Sequence, residues 1–339
     1  MPRMLALLVS LSFMLSGCGD DGGAVDAAAT DAGQDARALD APMPLDAFVP
    51  DAGTGPIDPL DLAREVSLDE LTRTISDLQA MGTRHTNTDG DDVARAYLTT
   101  RLEEYGLVVE EDPFVADSAP AANLIARKDG ILEPGVVWIL SAHYDSTSDL
   151  PYSVAPGADD NASAVAALLE AARILQPLRF RYSLWFVLTG AEEQGSLGSA
   201  HLARWLVDEP VEVRGINAPD MIGYWPLGND DLFDILGDPA SAHLVAQMAD
   251  IAEALGVAHK TFIEHGYCYG DDHTMYQEAG LPAFTTMDCV EAHNLPAATG
   301  ETTPHYHDGS DTIDTLHLPF TARVVGVMVA HFATWGEPI

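Results

Sequence analysis

Two stretches constrain this chain most: GVVWILSAHYDS, from Gly135 to Ser146, and FRYSLWFVLTG, from Phe180 to Gly190. Each carries an unbroken apolar run that ends in polar residues, which marks a central strand covered on both faces. Between them, DNASAVAALLEAARILQPL reads as a helix. Val165, Leu168, Leu169, Ala172 and Leu175 form its apolar stripe, and Pro177 marks its end. Buried strand, helix and buried strand in succession require a crossover between parallel strands.

The flanking sequence extends this pattern. DLAREVSLDELTRTISDLQAM places Leu62, Val66, Leu68 and Leu71 at near-helical spacing, and DDVARAYLTTRLEEYG is a second helix stopped by Gly106. GLVVEEDPF and AANLIARKDG read as strands, GSAHLARWLVDE as a helix, and VEVRGINAPDMIGYW as a further strand leaving toward a loop. The predicted class is α/β, a three-layer sandwich with a mostly parallel mixed central sheet flanked by helices. No internal repeat and no later membrane span is visible.

The N-terminal region is of another kind. One Arg precedes an apolar run from Met4 to Leu15, too short to span a bilayer, so residues 1–18 read as a signal peptide. Leu15-Ser16-Gly17-Cys18 resembles the bacterial lipobox, which predicts an exported protein anchored to a membrane of the cell envelope by a lipid on Cys18. Ordinary cleavage and secretion is the alternative. Residues 19–59 are rich in Asp, Ala, Gly and Pro without apolar periodicity, the composition of a disordered tether. The globular body then runs over 60–339. Up to Asp58 the tether holds nine Asp and one Arg, a small share of the 53 acidic residues, so most of the acidity belongs to the body. A net charge of −37 repels nucleic acid and anionic lipid surfaces and excludes both as partners of that body. Beyond Cys18, Cys268 and Cys289 stand as a candidate disulfide in an oxidising compartment or as two free thiols.

In open α/β sheets, sites form at the carboxyl ends of the strands. Here those ends deliver His143 and Asp145, then Glu192 and Glu193, then Asp220. His143 and Asp145, two apart, face the same side of an extended segment. Asp159, Asp160 and Asn161 open a helix and exceed what a cap requires. Glu192 and Glu193 leave their turn in different directions. One can bind a metal while the other takes a proton from water, the two functions that metal-assisted hydrolysis needs. Taken singly, each of these patterns is also what a helix cap or a solvated surface pair looks like.

Their order carries more. SAHYDS, PGADDNASAVAALLE, VLTGAEEQGSLGSAHLA, PDMIGYW, GDDHTMYQEAGLPAF and HYHDGSDTID together resemble the zinc aminopeptidases of metallopeptidase family twenty-eight, from Leu60 to the C-terminus. The resemblance implies a phosphorylase/hydrolase-like zinc peptidase fold and two zinc ions per chain. His143 and Asp220 would hold one ion, Glu193 and His307 the other, and Asp160 would bridge them. Glu192 would be the general base, and Asp145 would support His143. The substrates implied are peptides with a free N-terminus, and the expected state is a monomer. A cis peptide between Asp160 and Asn161 is also implied.

Of His265, His273, His293, His305 and His307, the family pattern selects His307, with Asp311-Thr312 following; His305 and the Asp272-His273 pair fall to supporting roles. Met221, Tyr267 and Tyr269 are candidates to line the pocket for the first side chain, or to pack in the core. The chain departs from the family at Pro219, before Asp220, at Ala164, and at Asp308, after His307; no ligand is lost. Three rivals remain: a two-metal amide hydrolase with an inserted lid, a one-zinc glutaminyl cyclase-like acyltransferase, and a lipid-anchored binding module without catalysis. Only 87 residues separate Asp220 from His307, little room for a lid.

Overall fold

The computed structural model describes residues 57–224, 232–263, 270–288 and 303–339. The expectations for residues 1–56, for Cys268 and Cys289, and for His265, Tyr267, Tyr269 and His293 lie outside the described residues. In chain order the strands are β1 (Val108–Ala116), β2 (Ala119–Lys128), β3 (Glu133–His143), β4 (Tyr182–Thr189), β5 (Glu212–Asn217), β6 (Leu232–Gly237), β7 (Ala258–Phe262) and β8 (Ala283–Met287). The helices are α1 (Pro59–Leu62), α2 (Leu68–Gln79), α3 (Asp89–Glu104), α4 (Ala164–Leu175), α5 (Leu197–Asp208), α6 (Ala242–Leu255), α7 (Asp272–Glu278) and α8 (Leu318–Gly336).

One sheet takes the order β1-β2-β4-β3-β5-β8-β6-β7. Its heart, β4-β3-β5-β8, is parallel throughout; β2 joins β4 and β6 joins β8 in the antiparallel sense. All of β4 is buried, as an apolar run covered on both faces must be. Side chains of β3 alternate across the sheet. Val136, Trp138, Leu140 and Ala142 meet the core shared with α2, α3, α4, α6 and α8. Val137 and Ile139 meet the core shared with α5 and α7. That makes three layers, and the carboxyl ends of β3, β4 and β5 open at one edge. Among the described residues, no helix is long and apolar enough to cross a membrane.

Two local expectations change. The helical spacing over 61–81 is broken at Val66 and Ser67, both extended. The Ser67 hydroxyl accepts the Glu70 N–H at 3.2 Å and starts a new helix, α2. Its buried face is Leu71, Thr74, Ile75 and Leu78, and Leu68 turns out to solvent. In α4 the stripe becomes burial on all sides, because the helix sits between the sheet, α2 and α8. Even Glu170 is buried there. Its carboxylate accepts the Ser67 N–H (2.8 Å) and pairs with Arg173 (2.7 Å), which offsets the cost of taking the charge out of water.

Candidate metal centre

His143 ends β3, and Asp145 follows it. Glu192 and Glu193 lie in the turn between β4 and α5, and Asp220 lies beyond β5. Asp160 belongs to the kinked segment Ala158–Ser163 that precedes α4. His307 arrives from the turn before α8, with a left-handed backbone at φ 53°. The fold brings all seven residues to one edge of the sheet.

Asp160 stands at the middle. Its Oδ1 is 3.3 Å from His143 Nε2, and its Oδ2 is 3.4 Å from His307 Nε2. Each imidazole has a second carboxylate: Asp220 Oδ1 lies 3.5 Å from His143 Nε2, and Glu193 Oε2 lies 3.0 Å from His307 Nε2. Two His–carboxylate pairs thus share one aspartate between them. The donor atoms of His143, Asp160 and Glu193 all fall within 4.8 Å of one another. The peptide bond between Asp160 and Asn161 is cis, as the family resemblance implies.

Packing so many carboxylates in a buried space moves their ionisation. Burial raises Glu193 to about 8, helped by Asp160 and opposed by the two imidazoles. Burial likewise raises Asp220 to about 6 against the pull of His143. Glu192 is pushed well above the usual carboxylate range by burial, with Asp272, Asp220 and Glu193 adding to it and His143 opposing. Burial would raise Asp160 as well, but the imidazoles on either side hold it below its ordinary value. Both imidazoles go the other way. Burial lowers them, yet the surrounding carboxylates lift His143 well above its ordinary value and His307 to about 10.

Neither ring nitrogen of His143, nor Glu193 Oε1, nor Asp220 Oδ1, has a hydrogen-bond partner, although all are buried. Buried polar atoms are normally satisfied. Orphaned atoms on His and carboxylate groups gathered in one place are donors that could hold a divalent cation. Imidazole and carboxylate at this spacing suit zinc. The residues present fit the metal.

The description "Peptidase family M28" belongs to a family model that matches residues 123–332, from β2 into α8. That span holds all five donors with Glu192 and Asp145. The chain belongs to peptidase family M28. It is 28% identical over 321 residues to a "Probable zinc metalloprotease" of Pyrenophora teres f. teres, covering 78% of this chain. The chain spans 66% of that relative's length, just under two thirds. To "Aminopeptidase YwaD" of Bacillus subtilis it is 30% identical over 194 residues, covering 57% of this chain and 39% of that protein. Among solved structures, the LapA aminopeptidase of Legionella pneumophila superposes with a TM-score of 0.69 at 20% identity. That match covers 82% of this chain and 74% of that one.

In this family member Asp145 has more than one neighbour to hold. Asp145 stands 3.6 Å from His143 Nδ1. It also holds the turn beyond β4: Oδ1 accepts the Glu192 N–H (3.1 Å) and Oδ2 the Glu193 N–H (3.2 Å). One buried carboxylate therefore fixes the peptides of both glutamates. Pro219 leaves Asp220 in place, because Asn161 clamps its neighbours. The Asn161 amide donates to the Pro219 carbonyl (3.1 Å) and accepts the Met221 N–H (3.2 Å). Met221 itself is buried.

Three residues were missed. Asp311, read only as part of a motif, accepts the N–H groups of Asp159 (2.9 Å) and Asp160 (3.1 Å) and so aims the central aspartate. Ser196 lies 2.9 Å from Glu192 Oε1 and 2.6 Å from the Gly270 carbonyl. A hydroxyl has one proton, which Ser196 shares between the Glu192 carboxylate and the Gly270 carbonyl. Its spacing, four residues after Glu192, was the available signal. Arg84, fully buried, donates to the carbonyls of Tyr144 (2.8 Å), Pro156 (2.7 Å) and Gly157 (2.9 Å) beneath the site. Nothing near it in sequence marks that role. Of the other histidines, His305 pairs with Ser310 (2.8 Å) and His273 is buried in α7.

Proposed function

We propose that this chain is a zinc-dependent aminopeptidase that removes N-terminal residues from peptides at a two-zinc site. His143 and Asp220 would hold one ion and Glu193 and His307 the other, with Asp160 shared between them, and Glu192 would be the general base. The observation that carries this reading is Asp160, one carboxylate with each oxygen turned to a different imidazole. Family membership and the likeness to the aminopeptidase YwaD support peptide N-termini as the substrate class.

Zinc at such a site supplies Lewis acidity, bringing the pKa of water toward about 7 and countering the negative charge that develops on the carbonyl oxygen. The residues do the rest. Asp145 holds the backbone of the Glu192–Glu193 turn. Ser196 engages one oxygen of Glu192 and leaves the other for proton transfer. Glu192 takes a proton from water as the water oxygen bonds to the scissile carbonyl carbon. As the carbon–nitrogen bond breaks, Glu192 returns that proton to the leaving amine. Its burial suits the task, since a carboxylate with a raised pKa accepts a proton readily.

Metal analysis with hydrolysis of a panel of aminoacyl anilides tests the reading. Two zinc ions per chain are expected, with activity lost to a chelator and restored by zinc. Glu192→Gln should keep both ions and lose about a thousandfold or more in kcat. Retained activity in that variant overturns the role of Glu192. Stretch 1–18 supports export and a lipid on Cys18. Mass spectrometry of the mature N-terminus tests that part, and an unmodified Cys18 rejects it.

A further inference from the structure

The five proposed ligands are not equally covered. The side chains of His143, Asp160 and Glu193 are almost fully buried and that of Asp220 nearly so, whereas that of His307 stays 39% exposed. The site therefore opens beside His307. An enzyme that removes one residue encloses the amine end of its substrate, and the rest of the peptide leaves through the opening.

That opening is rimmed by apolar side chains in contact with solvent: Leu150 (58% exposed), Tyr152 (69%), Val154 (44%) and Tyr306 (49%). Single exposed apolar residues need no explanation, but several gathered at the mouth of a site do. The Tyr306 ring stacks on His307, with centroids 3.7 Å apart. The Asp149 N–H donates to the His307 carbonyl at 3.1 Å. Val154 Cγ1 comes within 3.3 Å of where a Cβ would stand on Gly309. On the other side, Tyr152 meets His85 edge-on at 4.8 Å, and His85 Nδ1 lies 3.2 Å from the amide of Gln194, next to Glu193. The rim thus touches His307 directly and, through His85, reaches Gln194 beside Glu193.

The rim is also held in shape. Ser148 Oγ donates to the Val154 carbonyl (2.5 Å) and accepts the Leu150 N–H (2.9 Å). The Val154 N–H donates to the Leu150 carbonyl (2.9 Å), and Thr83 Oγ1 donates to that of Pro151 (2.6 Å). Apolar surface already fixed in place binds without the entropy cost of ordering it.

We infer that residues 149–154 and Tyr306 form an apolar shelf for the substrate side chains just past the scissile bond, so that the enzyme prefers peptides with apolar second and third residues. This rests on the aminopeptidase reading. With the zinc-loaded full chain, kcat/KM for Ala-Leu-Leu-Gly should exceed that for Ala-Ser-Ser-Gly by about tenfold or more, the range for apolar discrimination in a pocket. The double variant Leu150→Ser, Tyr152→Ser should narrow the ratio to within about threefold, as most of the apolar contact is gone. Hydrolysis of leucinamide, which has no side chain past the scissile bond, should stay unchanged. A double variant that keeps the preference, or that loses leucinamide hydrolysis in step, overturns the shelf. Failure of the wild type to hydrolyse any peptide would instead reject the peptidase reading. The shelf is then judged by calorimetry on zinc-loaded Glu192→Gln. Tighter binding of Ala-Leu-Leu-Gly than of Ala-Ser-Ser-Gly supports it, and equal affinity refutes it.

Discussion

Replacing Arg84 with Met would separate the scaffold of this site from its chemistry. The guanidinium is fully buried, and its partners are three main-chain carbonyls, not a carboxylate. Burial alone pulls its pKa down to about 10, despite Asp311, Asp145, Asp160 and Glu193 nearby. A buried charge is often replaced by apolar volume at little cost. Here the opposite is expected, because Met fills much of the space but leaves the carbonyls of Tyr144 and Pro156 without the donor they use, while Gly157 keeps only the Ala162 N–H (3.1 Å). An unsatisfied buried acceptor costs about 1–3 kcal/mol, and two that share one donor are less than additive, so about 3 kcal/mol is the expected loss. That is a large part of the roughly 5–15 kcal/mol that holds a typical domain together. It corresponds to a fall of about 10 °C in Tm for a body of this size.

The same substitution should reach the metal. Tyr144 precedes Asp145, and Gly157 precedes the segment that carries Asp160, so releasing both carbonyls loosens two supports of the donor set. Losing a support of this kind typically weakens metal binding about 10–100-fold. Urea unfolding of the apoprotein followed by tryptophan fluorescence reads the first effect, and competition with a chelator reads the second. Arg84→Lys, which keeps a charge but lacks the fork, should fall between. Arg64→Met, at an exposed pair with Asp61, should do nothing measurable. Unfolding of Arg84→Met within about 1 kcal/mol of the parent, with zinc affinity unchanged, would refute the reasoning.

Further predictions follow from other residues. Asp160→Asn should lower zinc content below two per chain by metal analysis, and a full complement would remove the bridging role. Ser67→Ala should cost about 1 kcal/mol in urea unfolding through loss of the α2 cap, and no change would discount the capping bond. His331 sits in the apolar interior of α8 against Trp335 and Phe284, and burial depresses its pKa to about 3. Above its unfolded value, near 6.5, it is neutral in both states and contributes nothing. As pH falls from there toward 3, only the unfolded chain takes the proton, so stability is lost. His331→Leu should therefore gain about 2 kcal/mol on wild type between pH 7 and pH 4.5. A stability difference independent of pH would show that His331 does not titrate in this way.

What neighbouring residues encode was legible before any coordinates. The apolar runs of β3 and β4 announced strands covered on both faces, because a strand that alternates sides can be apolar throughout only when both are buried. The ends of those strands, with Asp220 beyond β5, announced where polar donors would gather. Order of motifs, through family likeness, singled out Asp160 and His307 from many candidates. The same local reading failed at Ser67, where a cap interrupts a helical period, and on α4, whose stripe is narrower than the burial it receives.

The structure alone decided which groups hold the donors. Asp311 meets the Asp159 and Asp160 amides from 152 and 151 residues away, and Arg84 reaches Gly157 across 73. Asp145, beside His143, also accepts the Glu192 and Glu193 amides from 47 and 48 residues on. Periodicity and caps act within a few residues, so they are written in the chain. Which buried acceptor finds which distant donor is settled by how layers pack, since an interior without water leaves each polar group only the partners that packing brings to it.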